Sequence, residues 1–273
     1  MKFREKLSRI VQENNSMVCV GLDPDPVKMP IKSIFEFCKI IIDSTSDLVA
    51  AYKPNFAFFE ALGIDGLIEL KKTVEYLQSK HPEILIIGDG KRGDIDSTSE
   101  KYASSMFDYW GVDVATINAF AGLDGVAPFL KYENNGVFVW CKSSNQSGVE
   151  IQDVELVNHE VKFFHYLAKK TLEWDFNSNL GLVVGATYPE ELKEVRNLAP
   201  NLPILLPGIG SQKGDLSLSM HYGFNGNSDS ILVSSSRSII YASSEKSSFG
   251  ESSRIACDKL RIQINEILSV DTD

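Results

Sequence analysis

Residues 84–94 read ILIIGDGKRGD, in which four aliphatic residues lead directly into a glycine and a string of charged residues. An unbroken apolar run, rather than an alternation of apolar and polar residues, is typical of a strand that is covered on both faces. Asp89 and Lys91 are two positions apart, so a strand directs both side chains to the same side. This stretch predicts a buried strand over residues 84–88 with a charged end.

Seven further runs of β-branched and aliphatic residues have the same character. They occupy residues 17–21, 48–53, 112–117, 136–140, 180–184, 203–206 and 230–233. Between the runs lie stretches with apolar residues three and four positions apart, which is the spacing of an amphipathic helix. The predicted helices cover residues 34–42, 67–77, 103–110, 161–172 and 190–198.

This alternation of strand and helix, repeated about eight times, indicates an α/β fold with a parallel sheet and right-handed crossovers. Eight such units close most naturally into a single (β/α)8 TIM barrel, and one domain is expected to cover residues 1–273. An open doubly wound sheet is the alternative. No Gly-x-Gly-x-x-Gly follows the first strand, however, which argues against a dinucleotide-binding fold.

Two segments stand outside the alternating pattern. Residues 1–15 are expected to form an extra helix that packs over the bottom of the barrel. The serine-rich residues 234–253 are expected to form a loop and a short helix, before a last helix over residues 252–268.

Composition limits the class of protein. A chain of 273 residues with 43% hydrophobic and 23% charged residues has the balance of a folded globular protein. The 27 Lys and Arg against 37 Asp and Glu give a net charge of -10, the wrong sign for coating nucleic acid or an anionic membrane. No apolar run approaches the roughly 20 residues of a membrane span, and no signal-peptide pattern opens the chain, so a cytosolic location is expected.

The cysteines and histidines do not suggest a metal site. The 4 cysteines are far apart without a Cys-x-x-Cys pair, and the 4 histidines are equally dispersed. Buried free thiols are expected at Cys19, Cys38, Cys141 and Cys257.

Polar residues gather where the predicted strands end. In a TIM barrel the C-terminal ends of the strands form the active face, so these residues are the candidates for function. They are Asp23 after the first strand, Lys53 and Asn55 at the second, Asp89, Lys91 and Asp94 at the third, Ser144 after the fifth, Gln212 after the seventh, and Ser236 with Arg237 after the eighth.

Lys91 lies between two carboxylates in the sequence, Asp89 and Asp94. Nearby opposite charge favours the ammonium form of a lysine. Lys91 is therefore a poor Schiff-base nucleophile and a good positioned proton donor. An ordinary salt bridge in a loop is the alternative interpretation.

The ends of the seventh and eighth strands are where barrels of this class commonly bind phosphate. Gly208 and Gly210 offer backbone N–H groups, and Gln212 and Arg237 offer side-chain donors, so this region is a candidate phosphate site. A tight turn and a surface cation are the alternatives. Near the first two strands, Lys53 and Asp23 either orient sugar hydroxyls or form a structural ion pair.

Several of these segments together resemble the orotidine 5'-phosphate decarboxylases, and more closely the longer subfamily. They are residues 21–25 (GLDPD), 51–55 (AYKPN) with 58–60 (FFE), 89–95 (DGKRGDI), 185–190 (GATYPE) and 206–212 (LPGIGSQ). The segments occur in the family's order and span most of the chain. The Asp-x-Lys-x-x-Asp motif alone is only moderately specific, because related barrel enzymes acting on sugar phosphates share it.

The resemblance implies decarboxylation of orotidine 5'-monophosphate to uridine 5'-monophosphate, the last step of pyrimidine synthesis, with no metal and no organic cofactor. It implies that Lys91 protonates C6, that Asp89 lies beside the substrate carboxylate, and that Lys53 completes a chain of alternating charges near the ribose. The remaining implied contacts are Asp23 to the ribose, Asn55 to the substrate, Ser144 to the pyrimidine edge, and Gln212, Ser236 and Arg237 at the phosphate.

The resemblance also implies partners. Asp94 and Thr98 match positions that reach across a homodimer interface into the neighbouring active site. The chain is expected either to stand alone or to be joined to an orotate phosphoribosyltransferase.

Three positions depart from the family pattern, and two other functions stay open. Gln146 stands where a proline is usual, Ser236 replaces a glycine, and residues 118–120 read NAF in place of the usual NPY. The open alternatives are a sugar-phosphate aldolase or decarboxylase that uses magnesium, and a barrel that binds uridine monophosphate without turnover.

Overall fold

The computed structural model describes residues 1–210, 212 and 214–270. Eight parallel strands form a closed barrel in sequential order, with the last strand paired to the first. The strands are β1 (Val18–Leu22), β2 (Ala51–Pro54), β3 (Leu85–Arg92), β4 (Val114–Ile117), β5 (Gly136–Lys142), β6 (Leu180–Val184), β7 (Ile204–Pro207) and β8 (Ile231–Ser235). The predicted (β/α)8 barrel is confirmed. The open-sheet alternative is wrong, because Val18 pairs with Val233 and Val20 with Ser235.

Helices cover the outside of the barrel. They are α1 (Phe3–Glu13), α2 (Ile34–Thr45), α3 (Phe56–Glu60), α4 (Gly63–Lys80), α5 (Asp96–Ser104), α6 (Leu123–Leu130), α7 (Val149–Gln152), α8 (Phe163–Glu173), α9 (Pro189–Leu198), α10 (Leu216–Gly223), α11 (Arg237–Ile240) and α12 (Phe249–Val270). Short 3-10 turns occur at Ser46–Leu48 and Gln146–Gly148, a π turn at Ser105–Tyr109, and a small antiparallel ribbon pairs Glu155–Leu156 with Val161–Lys162.

The N-terminal helix lies at the bottom of the barrel, as predicted. Its buried residues are Phe3, Leu7, Ile10 and Val11, spaced to form one apolar face. Phe3 contacts the ring of Phe138 edge to face, with 6.3 Å between ring centroids. It also lies against Gly136, the first residue of β5, where an added Cβ would come within 2.7 Å of the Phe3 ring.

Several element boundaries differ from the sequence expectation, and two of them have identifiable reasons. The second strand begins at Ala51 rather than at residue 48, because Ser46–Leu48 forms a 3-10 turn. The fifth helix begins at Asp96 rather than at residue 103. Its first residues are polar and mostly exposed, so the apolar spacing that predicts a helix begins only at Ala103.

The four cysteines are buried free thiols, as expected. No helix in the described part of the chain has the length and apolarity needed to cross a bilayer.

A buried arginine joins several elements at the bottom of the barrel. Arg196 on α9 is only 7% exposed. Its guanidinium donates to the carbonyl oxygens of Gly223 (2.8 Å), Leu202 (2.7 Å), Pro200 (3.1 Å) and Ser230 (2.8 Å). Burial lowers the pKa of Arg196 to about 10, which leaves it charged at neutral pH. One side chain thus connects α9 and the end of α10 to the residues before β7 and β8.

We expect Arg196→Ala to lower the free energy of unfolding by about 3 kcal/mol, because it removes a buried guanidinium and takes from the buried carbonyls of Gly223 and Leu202 the donor that they have in the parent. The control is Asn197→Ala, a truncation at the next, exposed position of the same helix, which should change stability by less than about 0.5 kcal/mol. Urea denaturation monitored by circular dichroism gives both values. Equal stabilities of the two variants would contradict this role for Arg196.

Candidate active site

A cavity of about 260 Å³ opens at the C-terminal ends of the barrel strands. Most of the candidate residues line it, namely Asp23, Lys53, Asn55, Asp89, Lys91, Ser144, Gln212, Ser236 and Arg237. Asp94 and Thr98 are not among its lining residues and are exposed at the end of β3 and in the first turn of α5. The barrel therefore brings together candidates that lie far apart in sequence.

The centre of the cavity is a chain of charges around Asp89. Its Oδ2 accepts a hydrogen bond from Lys53 Nζ at 2.7 Å, and its Oδ1 accepts from Lys91 Nζ at 2.6 Å. The side chains of Asp89 and Lys53 are each 7% exposed, whereas Lys91 is 35% exposed and reaches the open part of the cavity. Lys53 thus pairs with Asp89 and not with Asp23.

The two lysines keep Asp89 ionised despite its burial. Burial alone would raise the pKa of Asp89, but the ammonium groups of Lys53 and Lys91 outweigh it and hold the pKa well below its usual range. Burial likewise would lower the pKa of Lys53, yet Asp89 and Asp23 raise it above its usual range. A fixed carboxylate and a fixed ammonium therefore lie side by side at neutral pH.

The backbone of β3 is distorted where it carries Lys91. The pairing register with β4 shifts between Gly88 and Arg92, and Lys91 has a φ of 44°, in the left-handed region that non-glycine residues rarely adopt. Its backbone N–H donates to Thr116 Oγ1 at 3.0 Å, and the Thr116 hydroxyl donates to Asp89 Oδ1 at 2.9 Å. A strained backbone of this kind persists only where surrounding contacts determine it.

Sequence reasoning missed Thr116 and Trp140. Thr116 is a polar residue inside the apolar run 112–117, and that position is the signal that it faces the cavity. The Trp140 ring forms a wall of the cavity, with its centroid 5.8 Å from Lys91 Nζ. The sequence does not indicate this role, because residues that face into and out of a strand covered on both sides are equally apolar.

The opposite side of the cavity is formed by β1 and β8. Asp23 Oδ1 is buried without a hydrogen-bond partner among the described residues. Ser236, which replaces the family glycine, fits because Gly21 has no side chain: a Cβ on Gly21 would lie 1.8 Å from Ser236 Oγ. Gly21, on the neighbouring strand β1, thus leaves the room that the serine at position 236 needs.

Arg237 begins α11 at the cavity rim, and its side chain makes no hydrogen bond or ion pair within the described part of the chain. Gly208, with a φ of 108°, and Gln212 line the same cavity after the neighbouring strand β7. Ser211, which belongs to the same sequence segment, lies outside the described residues.

The loop after β5 is held from two directions. Gln152 Oε1 accepts from both the backbone N–H and the hydroxyl of Ser143 at 3.0 Å. Thr187 Oγ1 donates to the Ser144 carbonyl at 2.9 Å. Lys142, at the end of β5, is not among the residues that line the cavity. Its side chain is fully buried, and its Nζ donates to Asp153 Oδ1 at 2.5 Å.

The described residues contain no group of three or more His, Cys, Asp or Glu side chains placed to hold a metal ion.

Asn55, which lines the cavity, also caps α3 by accepting from Ala57 N–H at 3.2 Å.

The fold and the site define a (β/α)8-barrel enzyme with a lysine–aspartate–lysine cluster, centred on the buried Asp89, at the ends of its second and third strands. Over residues 16–250 the chain matches the model of the orotidine 5'-phosphate decarboxylase / HUMPS family, and it belongs to that family.

Individual relatives agree with this placement. The chain is 40% identical over 253 residues to the orotidine 5'-phosphate decarboxylase of Cupriavidus metallidurans, covering 90% of this chain and 92% of that one. The solved structure of the Leishmania donovani OMP decarboxylase superposes with a TM-score of 0.86 at 34% identity, covering 98% and 99% of the two chains. The UMP synthase of the same organism superposes with a TM-score of 0.88 at 35% identity, covering 98% of this chain but only 56% of that longer one.

We expect Asp89→Asn to lower the free energy of unfolding by about 3 kcal/mol, because it leaves the buried Lys53 without its carboxylate partner. The depressed pKa of Asp89 sets the sign of the pH dependence. Its contribution is present above the ordinary carboxyl pKa of about 4 and is lost as the pH falls below that value. The stability difference between parent and variant should therefore be constant from about pH 5 to pH 8 and shrink in stronger acid.

Urea denaturation across this pH range measures the difference. The matched control is Glu133→Gln, the same carboxylate-to-amide change at an exposed position. A difference for Asp89→Asn that grows as the pH falls would show that the lysines do not stabilise the ionised form.

Proposed function

We propose that this protein decarboxylates orotidine 5'-monophosphate to uridine 5'-monophosphate and carbon dioxide without a metal or organic cofactor, with Lys91 as the proton donor. The observation that carries the proposal is the position of Lys91 Nζ, 2.6 Å from the ionised Asp89 and partly open to the cavity. Membership of the family and the likeness to orotidine 5'-phosphate decarboxylases over most of the chain support this reaction.

The chemistry requires a fixed positive charge at one ring carbon. The bond between C6 and the carboxylate carbon breaks, and its electron pair remains on C6 while carbon dioxide leaves. An ammonium already held in place stabilises that carbanion without reorganising solvent, and then transfers a proton to C6. The Asp89 carboxylate and Thr116 keep Lys91 in position for both events.

Substrate binding uses the rim of the cavity. The unpartnered, buried Asp23 Oδ1 is an acceptor for a ribose hydroxyl. Ser144 lines the cavity and is assigned to the pyrimidine, and Asn55, whose backbone pairs with that of Asp89, is assigned to the substrate near the charge cluster. Arg237, Gln212 and Ser236 bind the phosphate, and the guanidinium supplies the local positive charge that a chain with a net charge of -10 needs for an anionic ligand.

Lys91→Ala should reduce the turnover of orotidine 5'-monophosphate by roughly a thousandfold or more, because the ammonium acts where carbanion charge develops. Binding of uridine 5'-monophosphate should stay within about threefold of the parent, since Lys91 acts mainly in the transition state. The loss of substrate absorbance measures turnover, and calorimetry measures binding.

Lys259→Ala, which removes an exposed lysine from α12, is the matched control and should turn over substrate at the parent rate. Comparable turnover in Lys91→Ala and the parent would refute Lys91 as the proton donor. A parent protein that does not consume orotidine 5'-monophosphate at all would refute the proposed reaction.

We further propose that the chain is a single cytosolic domain over residues 1–273 that works as a homodimer with shared active sites. Asp94 and Thr98 are exposed on the same rim as the cavity without lining it, as expected of residues that serve a neighbouring subunit. The likeness to a longer UMP synthase supports fusion to, or association with, an orotate phosphoribosyltransferase.

Mixing two inactive variants tests the shared site. Lys91→Ala and Asp94→Ala homodimers should each be nearly inactive, but a mixed dimer contains one site with both residues intact. After random exchange about half of the dimers are mixed, each with one good site of two, so activity should return to roughly a quarter of the parent level. No recovery after subunit exchange has been verified by mass spectrometry would refute sharing of Asp94.

A further inference from the structure

Tyr241 connects two parts of the cavity rim that are far apart in sequence. It directly follows α11, the helix that begins with Arg237. Its hydroxyl donates to the backbone carbonyl of Asp23 at 2.8 Å and accepts from the backbone N–H of Asp25 at 2.6 Å. One phenolic oxygen therefore joins the loop after β1 to the end of the helix after β8.

The ring that carries this hydroxyl is held rigidly. Tyr241 stacks on Phe37 of α2, with 5.7 Å between centroids and 19° between planes. Phe37 in turn stacks on Phe249 of α12 at 5.5 Å and 19°. Burial raises the pKa of Tyr241 to about 12, so the hydroxyl keeps the proton that it donates to Asp23.

The side chain of Asp23 has no comparable support. Its Oδ1 is buried and has no hydrogen-bond partner within the described residues, although it lines the cavity. The orientation of this carboxylate therefore depends on the backbone that carries it, and Tyr241 binds that backbone on both sides of Pro24.

We propose that Tyr241 is a positioning residue for substrate binding: its hydroxyl fixes the Asp23 loop relative to Arg237, and so sets the spacing between the ribose and phosphate contacts. The inference rests on the proposed function, which assigns Asp23 to the ribose and Arg237 to the phosphate. The Tyr241 hydroxyl hydrogen-bonds to neither Asp89 nor Lys91, so its effect belongs to binding more than to the chemical step.

Tyr241→Phe removes the hydroxyl and retains the ring that stacks on Phe37. We expect the variant to bind uridine 5'-monophosphate about tenfold more weakly, the scale of one lost hydrogen bond in a loop that orders the site. The Michaelis constant for orotidine 5'-monophosphate should rise by a similar factor, with kcat changing by less than about threefold.

The matched control is Tyr132→Phe. It removes a hydroxyl that donates to Asp108 at 2.6 Å, at a position outside the cavity lining, and should leave both binding and turnover unchanged. A melting temperature measured for each variant confirms that it is folded before binding is compared.

A double variant shows whether Tyr241 acts through Asp23. If it does, Tyr241→Phe combined with Asp23→Ala should bind uridine 5'-monophosphate no more weakly than Asp23→Ala alone, because the carboxylate that Tyr241 orients is gone. The inference would be overturned by a double variant whose loss of affinity equals the product of the two single losses. It would also be overturned by a Tyr241→Phe protein that binds the nucleotide within twofold of the parent.

These failures differ from a failure of the proposed function. A parent protein that neither binds uridine 5'-monophosphate nor consumes orotidine 5'-monophosphate refutes the function itself. A parent that does both, while Tyr241→Phe behaves like Tyr132→Phe, refutes only the role of Tyr241.

Discussion

The active site depends on one buried carboxylate held between two ammonium groups. Asp89 cannot remain charged in the barrel interior alone, because transfer of an isolated carboxylate out of water is costly. Lys53 and Lys91 offset that cost from two sides, and Thr116 adds a neutral donor. In the proposed mechanism, the same arrangement holds the ammonium of Lys91 where the decarboxylation needs positive charge. Under that proposal, stability and catalysis share one electrostatic cluster.

The two ends of the barrel use buried charge differently. At the bottom, Arg196 donates to backbone carbonyls from several elements, so its charge serves the fold. At the top, the charges of the Asp89 cluster line a cavity. The strained backbone at Lys91 belongs to the top end, where the surrounding hydrogen bonds maintain a conformation that a free strand would avoid.

The departures from the family pattern are local. The Ser236 side chain fits because Gly21, on the adjacent strand, has no side chain. The stretch 118–120 follows β4 on the exposed rim, with Asn118 Oδ1 accepting from Phe120 N–H at 3.0 Å. Gln146 begins a 3-10 turn in the loop after β5 and is exposed. None of the three alters the contacts of Asp89.

The barrel and most of the polar residues around its cavity could be predicted from the amino-acid sequence. Continuous apolar runs specify strands covered on both faces, and the alternation with amphipathic stretches specifies the crossovers, so the eight strands and the bottom helix were predictable. The polar residues at strand ends identified the Asp89 cluster, Asp23 and Arg237. The start of α5 at Asp96 could not be predicted, because the first turn of this helix is polar and lacks the apolar spacing that indicates a helix.

Which polar groups contact one another could be learned only from the folded barrel. Lys53 pairs with Asp89 and not with Asp23, and Lys142 points away from the cavity towards Asp153, although both lysines lie at a strand end. Three further residues contact partners that are distant in sequence, by up to 218 positions: Thr116, Trp140 and Tyr241. Such contacts depend on side-chain direction and on closure of β8 against β1, which local periodicity does not encode.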